Sequence, residues 1–504
     1  MVAVVGSKKI STEPLHIPSL LSRIFGPLKK YFSAWIYLFS GPSIIQQAFD
    51  NARGSPFEVF APDNRYVFVS SSKHIKEIDS ASPEILSLFT ATKQMLQPRY
   101  TMHGFNWPDI RGAEGVGFIK ALRTILTNHL PDLIPGLDLV ISKELNKILD
   151  QCKSFQSGKK LRIYQEMSRL VVSANAYAFF GEHLAFDEEF MGYASTTTEE
   201  TFKYAELIRL LPSWAQPLAG KAVLRLSTSQ AGMYQALVPI VEQRLNERSR
   251  HKLGQKGETH RDCISWITET APKSWPAYRI VYELIAIWFG SVHGISITIT
   301  FAIHDLCLHP EYLAPLRKEL ESEQFEAFKR TGSGLPLLDS FIKESARLSP
   351  VESMSGRRQA LKPFSFSNGT SVNKGEWVCT PAGAVMHSEN HYPEPLEFHG
   401  FRFADKKFVN HVLDRGISQP NGPSKLTDVD ETWHVWGIGR ITCPGRFYAS
   451  AAMKTILSHI IRNYNIDLLD KNAPRMFTWR SSMVPRHSTM VVLRPRRGKG
   501  MPMN

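Results

Sequence analysis

The run Trp436-Gly437-Ile438-Gly439-Arg440-Ile441-Thr442-Cys443-Pro444-Gly445-Arg446-Phe447-Tyr448-Ala449 carries the strongest chemical signal in this 504-residue chain. One cysteine stands among three glycines, which let a chain turn tightly and present its amides. A helix starting near Pro444 would aim its positive end at the sulfur. Such a loop either surrounds an inert buried thiol or builds a ligand, and the rest of the sequence decides between the two.

The bulk numbers set the frame. Hydrophobic residues make up 43% of the chain and charged residues 21%, which supports a large core and argues against extensive disorder. The net charge of +13 suits an anionic membrane or an acidic protein partner. No run of Lys and Arg interleaved with aromatics occurs, so no nucleic-acid partner is expected. The five cysteines (Cys152, Cys263, Cys307, Cys379 and Cys443) are odd in number and widely spaced, without a Cys-x-x-Cys pair. That excludes a disulfide framework and a zinc site of that type, and fits a reducing compartment.

The apolar start at Met1 to Val5 is too short for a signal sequence or anchor. Residues Ile17 to Ala48 are apolar but interrupted by Arg23, Pro27, Lys29, Lys30 and Pro42. They fit an interfacial helix on a membrane and early helices packed on the fold equally well. Helical spacing dominates Phe118–Leu149, Lys160–Phe180, Gln230–Leu253 and Leu337–Leu348. Strand-like stretches are short: a pair at Phe57–Phe60 and Tyr66–Val69, a hairpin over Phe364–Val378 turning at Asn368-Gly369, and a late strand at Ser488–Leu493. Leu284–Ile303 carries no formal charge and is long enough to span a bilayer. It reads instead as a buried helix, because Gly290, His293, Gly294 and Ile297 share a face on which small residues admit a flat cofactor.

Two further motifs accompany the cysteine loop. Glu344 and Arg347, three apart in Phe341–Pro350, share a helix face. The segment Tyr392-Pro-Glu-Pro-Leu-Glu-Phe-His-Gly-Phe-Arg402-Phe403 lies between them and Cys443. A thiolate ligand to haem iron needs a sulfur facing the iron, a backbone that approaches the porphyrin closely, and donors that stabilise the anion. Taken in this order, the three elements resemble the cytochrome P-450 superfamily, in its fungal, reductase-dependent form. The resemblance covers roughly residue 36 onward, leaving residues 1–35 as an N-terminal segment and 36–504 as one domain.

The resemblance implies a mainly α fold with small β-sheets, and haem held between a long central helix and the cysteine loop. Cys443 would be the axial ligand, with Trp436, Gly439 and Gly445 shaping the loop. The family usually has Arg or His two residues before the cysteine. Ile441 stands there, with Arg440 as the compensating cation. Glu344, Arg347 and Arg402 would form a structural triad behind the haem, and Met386-His387-Ser388 matches a structural segment. Arg358, with Arg357 next, fits a cation for a haem propionate. On an early helix Trp107 and Arg111 match the family's spacing, with Arg123 as the alternative.

The family's distal helix pattern falls on Gly290-Ser291-Val292-His293-Gly294-Ile295. Gly294 replaces the usual Thr, whose hydroxyl helps deliver protons. His293 would take that role, with Ser291 or Ser296 as substitute hydroxyls. The implied activity is monooxygenation of a hydrophobic small molecule, in fungal secondary-metabolite biosynthesis. Electrons would come from NADPH through a flavin-containing reductase. The implied location is the cytoplasmic face of the endoplasmic reticulum or the cytosol, with peripheral membrane contact. The missing Thr leaves open a desaturation, rearrangement, coupling or peroxide-driven reaction. Met102, Phe105, Phe289, Val292, Met354 and Met483 are the expected pocket walls.

Overall fold

The computed structural model describes residues 19–110, 117–255, 258, 260–409 and 422–496. Arg111 lies outside these residues. The apolar stretch read as a core helix forms the 32-residue central helix Ala277–Leu308. Among the described residues it is the one helix long and apolar enough to cross a bilayer, and most of its apolar window is covered by protein. It packs against a back helix, Ile163–Ala185, a wall helix, Glu188–Leu210, the helix Thr228–Lys252, the triad helix Pro336–Leu348 and the cysteine helix Arg446–Asn463. A helix apolar on nearly every side needs such a jacket. Its own hydroxyls are satisfied one turn back: Ser296 donates to the Val292 carbonyl, Thr298 to Gly294 and Thr300 to Ser296.

The small sheets lie at the periphery. Strands Phe57–Ala61 and Asn64–Phe68 pair antiparallel, as their alternation predicts, and continue through Trp377–Thr380 and Ser355–Ala360 to Leu86–Ser87. The Asn368-Gly369 turn forms with Gly369 at φ 88°, joining Phe364–Ser365 to Ser371–Val372. The end of the expected hairpin, Trp377-Val378, instead enters the main sheet parallel to Asn64–Phe68. The late strand is Met490–Pro495, paired with Tyr464–Leu468 and Gly158–Arg162.

Two helices differ from expectation. Phe118–Leu149 is not one helix: a turn at Gly117–Lys120 runs into the π-helical segment Ala121–Leu126, and a new helix starts at Leu130. Pro131, which favours a first helical turn, sets the restart. Lys160–Arg162 is strand, because pairing with Met490–Val492 outweighs the helical spacing read there. At the other end, Ser19–Ala52 is helical across residue 35, with its departure from helical geometry at Ser40, before Gly41-Pro42. Tyr37, Leu38 and Ile45 of this helix are buried, while Phe32, Ile36 and Phe39 are exposed.

Candidate functional site

The cysteine loop is tied to its surroundings by backbone and indole bonds. Cys443 N–H donates to the Trp436 carbonyl at 2.8 Å, and the Trp436 indole donates to the Leu426 carbonyl at 2.6 Å. Gly439 has φ 58°, and a Cβ there would fall 2.3 Å from the Asp79 carboxylate. Only glycine meets both demands. The Asp79 carboxylate accepts from the Arg440 amide at 2.9 Å. The Arg440 guanidinium also turns this way, donating to the carbonyls of Asp79 and Ala81 at the end of the helix Ser72–Ser80. In this structure the Arg440 side chain thus anchors the loop to that helix end.

Cys443 is half-buried. Burial raises its thiol pKa; the Gly445 and Arg446 amides and the charges of Arg446 and Arg123 pull it back. The structure therefore already turns donors toward a sulfur anion. Arg446 itself donates to the Cys443 and Thr427 carbonyls. Arg123, on the π-helical segment, is exposed and near enough for its charge to act on the thiol. Arg358 is 4% exposed, and among the described residues its guanidinium bonds only to the backbone carbonyls of Gly356 and Arg357, with the Asp79 carboxylate 4.0 Å away. Burial pulls its pKa down to about 10, against the pull of Asp79. A buried cation so thinly paired calls for a further anion.

The central helix leaves space at its small residues. A Cβ built on Gly290, Gly294 or Gly445 would meet no atom within 4 Å. The residues present fit a haem: a sulfur with amide donors, glycines on the loop and on the central helix with open space at their Cβ positions, and the cations Arg358 and Arg123.

Behind this centre the triad is complete. The Glu344 carboxylate receives Arg347 Nε and Nη2 at 2.8 and 2.9 Å, and Arg402 Nε at 3.0 and 3.1 Å. The remaining guanidinium donors go to the carbonyls of Met386, Pro393, Glu394, Pro395 and Glu397. His387 meets the Arg347 carbonyl at 3.0 Å.

The distal side differs from expectation. Ser291 is held in a buried chain: Tyr448 Oη donates to Asn175 Oδ1 at 2.8 Å, and Asn175 Nδ2 donates to the Ser291 carbonyl and hydroxyl at 3.2 and 3.0 Å. The Ser291 hydroxyl then donates to Trp288. Ser291 thus joins the central helix to the back helix and cysteine helix, and is not a loose hydroxyl at the glycine face. A lone amide within the apolar run Leu170–Ala178 is the sequence signal for this chain of bonds.

His293 sits about 100° around the helix from Gly294, with its ring edge-on to Phe202 at 4.5 Å. Burial drives its pKa down to about 4, only partly countered by the Thr198 backbone and Glu199. The imidazole is therefore neutral near pH 7, and its Nε2 is buried without a hydrogen-bond partner among the described residues. The same shift has a measurable consequence. The unfolded chain binds a proton at His293 below about pH 6.5 and the folded chain only near pH 4. Stability is therefore undiminished above pH 6.5 and falls as pH drops toward 4, by up to about 3 kcal/mol at this position. His293→Phe is expected to lose less stability than the wild type between pH 7 and pH 5 in denaturant melts; equal losses would contradict this.

Val292, His293 and Ile297 line an open cavity of about 1080 Å³ together with Thr198 and Phe202 of the wall helix, Val351, Trp479 and Val484, and charged residues such as Lys143, Glu144, Arg169 and Glu352; Cys443 and Gly294 do not line it. Of the six expected pocket walls only Val292 lines it; Met102 and Phe105 belong to the main core, and Met354 to a second cluster with Tyr66 and Trp377. Glu206, which also lines the cavity, belongs to a charged cluster that sequence reading missed. Arg209 and Arg480 share the Asp63 carboxylate at 2.8 and 2.7 Å, and both also bind Glu206 at 2.7 Å. These four charges are scattered over more than 400 positions, so no local pattern marks them.

The chain resembles known proteins along nearly its whole length. A family model described as cytochrome P-450 matches residues 37–493. The monooxygenase ptmQ of Penicillium ochrochloron is 25% identical, covering 94% of this chain and 91% of its own. The monooxygenase janQ of Penicillium janthinellum is 26% identical, covering 94% and 92%. The solved structure of retinoic acid-bound cyanobacterial CYP120A1 shares the fold at a TM-score of 0.64 and 16% identity, over 91% of this chain and 97% of that one. With a cysteine loop, a buried Glu-Arg-Arg triad and a glycine-faced central helix in one architecture, the chain belongs to the cytochrome P-450 family.

Proposed function

We propose that this chain is a haem-thiolate monooxygenase that oxidises a hydrophobic small molecule in fungal secondary metabolism. The observation that carries the reading is the Cys443 sulfur, lying among amide donors and the thinly paired Arg358, with glycines left open on the loop and on the central helix. When bound, haem supplies the activation of dioxygen. Cys443 would hold it through the thiolate, while Gly445 and Arg446 amides stabilise the sulfur's charge. Arg358 and Arg123 would bind the two carboxylates of the cofactor. The apolar side chains of Val292, Ile297, Phe202 and Val484 would hold the hydrophobic part of the substrate.

Electrons would come from NADPH through a flavin-containing reductase, whose acidic surface the +13 net charge suits. The exposed Phe32, Ile36 and Phe39 support peripheral contact with the cytoplasmic face of the endoplasmic reticulum. The names of the Penicillium relatives support the monooxygenase reading and the fungal setting.

Gly294 brings no hydroxyl, Ser291 is tied into the buried chain, and Thr298 is bonded to the Gly294 carbonyl. Proton delivery then falls to ordered water or to a group on the substrate. This observation favours a second reading, in which the net reaction is desaturation, rearrangement, coupling or peroxide-driven oxidation. Reaction under labelled dioxygen separates them: label in the product is expected, and unlabelled product would defeat oxygen insertion. Gly294→Thr has open space for its side chain. It is expected to raise the fraction of NADPH converted to product, and an unchanged fraction would show that the gap has no bearing on proton supply.

A further inference from the structure

The triad helix holds more than the triad. One turn apart on it, Asp339 and Lys343 share a face, and both reach residues 424–427. The Asp339 carboxylate accepts from the Leu426 amide at 2.6 Å. The Lys343 ammonium donates to the Ser424 hydroxyl and the Lys425 carbonyl, both at 2.9 Å. The next carbonyl, that of Leu426, accepts from the indoles of Trp433 and Trp436 at 3.3 and 2.6 Å. The Trp436 carbonyl in turn receives the Cys443 amide at 2.8 Å. Hydrogen bonds and one short stretch of backbone thus run from Lys343 to the residue that carries the sulfur.

Lys343 is the costly member of this line. Asp339 is paired with Lys454 of the cysteine helix. Lys343 is fully buried, and its ammonium lies 4.6 and 4.8 Å from the ring centres of Phe403 and Trp433. Asp430, Asp428 and Asp339 offset its charge without a direct ion pair among the described residues, and burial pulls its pKa down to about 8. A buried charge of this kind makes a fold no more stable than a well-packed apolar side chain of similar size. What it does provide is a grip on the backbone that leads into the cysteine loop.

We propose that Lys343 is a positioning residue for the ligand sulfur, a role that rests on Cys443 binding haem. Its buried ammonium fixes residues 424–427 and, through the Trp436 indole on the Leu426 carbonyl, the loop that presents Cys443. Lys343 acts through this backbone and not on the sulfur itself: the side-chain charges that act on the Cys443 thiol are those of Arg446 and Arg123.

Lys343→Met keeps the unbranched stem and removes the donors. The test follows the thiolate-ligated signature of the reduced, carbon monoxide-bound, haem-loaded protein, held well below its melting point. The variant is expected to lose that signature about tenfold faster than the wild type, the effect of one hydrogen bond from a charged donor. Its haem-free form should melt no lower than the wild type, because a buried charge without an ion pair has gone. Ser424→Ala removes one of the two acceptors at a half-buried residue, and should give a smaller shift in the same direction. Val241→Ala, a core truncation on the helix Thr228–Lys252, is the control for general loss of stability. A signature as long-lived in Lys343→Met as in the wild type would overturn the proposal and leave Cys443 as the ligand. So would one shortened only as far as Val241→Ala shortens it for the same fall in melting temperature. Should Lys343→Met yield no folded protein, an unchanged lifetime in Ser424→Ala would overturn it equally. A wild type without the signature would overturn the haem ligation and this role together.

Discussion

Glu344→Ala is expected to yield no folded, haem-loaded protein. Glu344, Arg347 and Arg402 are at most 3% exposed, and the carboxylate accepts five bonds: four from the guanidiniums and one from the His399 amide. Its removal leaves two guanidinium ions facing each other in the interior without a counter-charge. Breaking a buried pair in this way costs about 3–5 kcal/mol, a large part of a domain's net stability. The damage also spreads, because the same guanidiniums hold five backbone carbonyls between Met386 and Glu397. Arg402→Ala should be milder, since Arg347 still neutralises Glu344. Denaturant melts and haem content of purified protein read both effects. A Glu344→Ala protein that loads haem normally and melts within about 1 kcal/mol of the wild type would remove the triad from its supporting role.

Cys443→Ala is expected to do the opposite: leave the fold and abolish turnover. The loop is held by the Cys443 amide, the Trp436 indole and the Arg440–Asp79 contacts, none of which uses the sulfur. Losing one half-buried sulfur costs about 1 kcal/mol. The amides of Gly445 and Arg446 then have no anion to stabilise, and Arg123 and Arg446 lose the charge that offsets their own. Substrate-dependent NADPH consumption should fall to the level without enzyme, while the melting temperature of the haem-free protein barely moves. Turnover comparable to wild type would place the ligand elsewhere.

How much of the site is legible in the sequence depends on how local the chemistry is. The cysteine loop, the Glu344–Arg347 pair and the central helix are contiguous patterns, and each forms where its spacing puts it. Arg402 joins the pair only through the resemblance, since 58 residues separate it from Glu344. The surroundings of Ser291 and His293 are set by direction, which the sequence does not show. Both lie on the right helix, but neighbouring residues on a helix face different ways. Asn175 captures one and Phe202 flanks the other. Arg440 is a similar case: its charge is visible in the sequence, but its partner Asp79, 361 positions away, is not. The helix break before Leu130 is set locally by Pro131, whereas the strand at Lys160 reflects tertiary pairing overriding helical spacing. The Asp63–Arg209–Arg480–Glu206 cluster belongs to the same class, being assembled by the fold alone.

The central claim is that the Cys443 sulfur is the axial ligand of a bound haem. It is tested most directly by the absorbance spectrum of the reduced, carbon monoxide-bound protein, recorded for the wild type and for Cys443→Ala at equal haem. The wild type should show the thiolate-ligated signature and the variant should lack it. The same signature in both proteins, or haem-free wild type after reconstitution, would contradict the account.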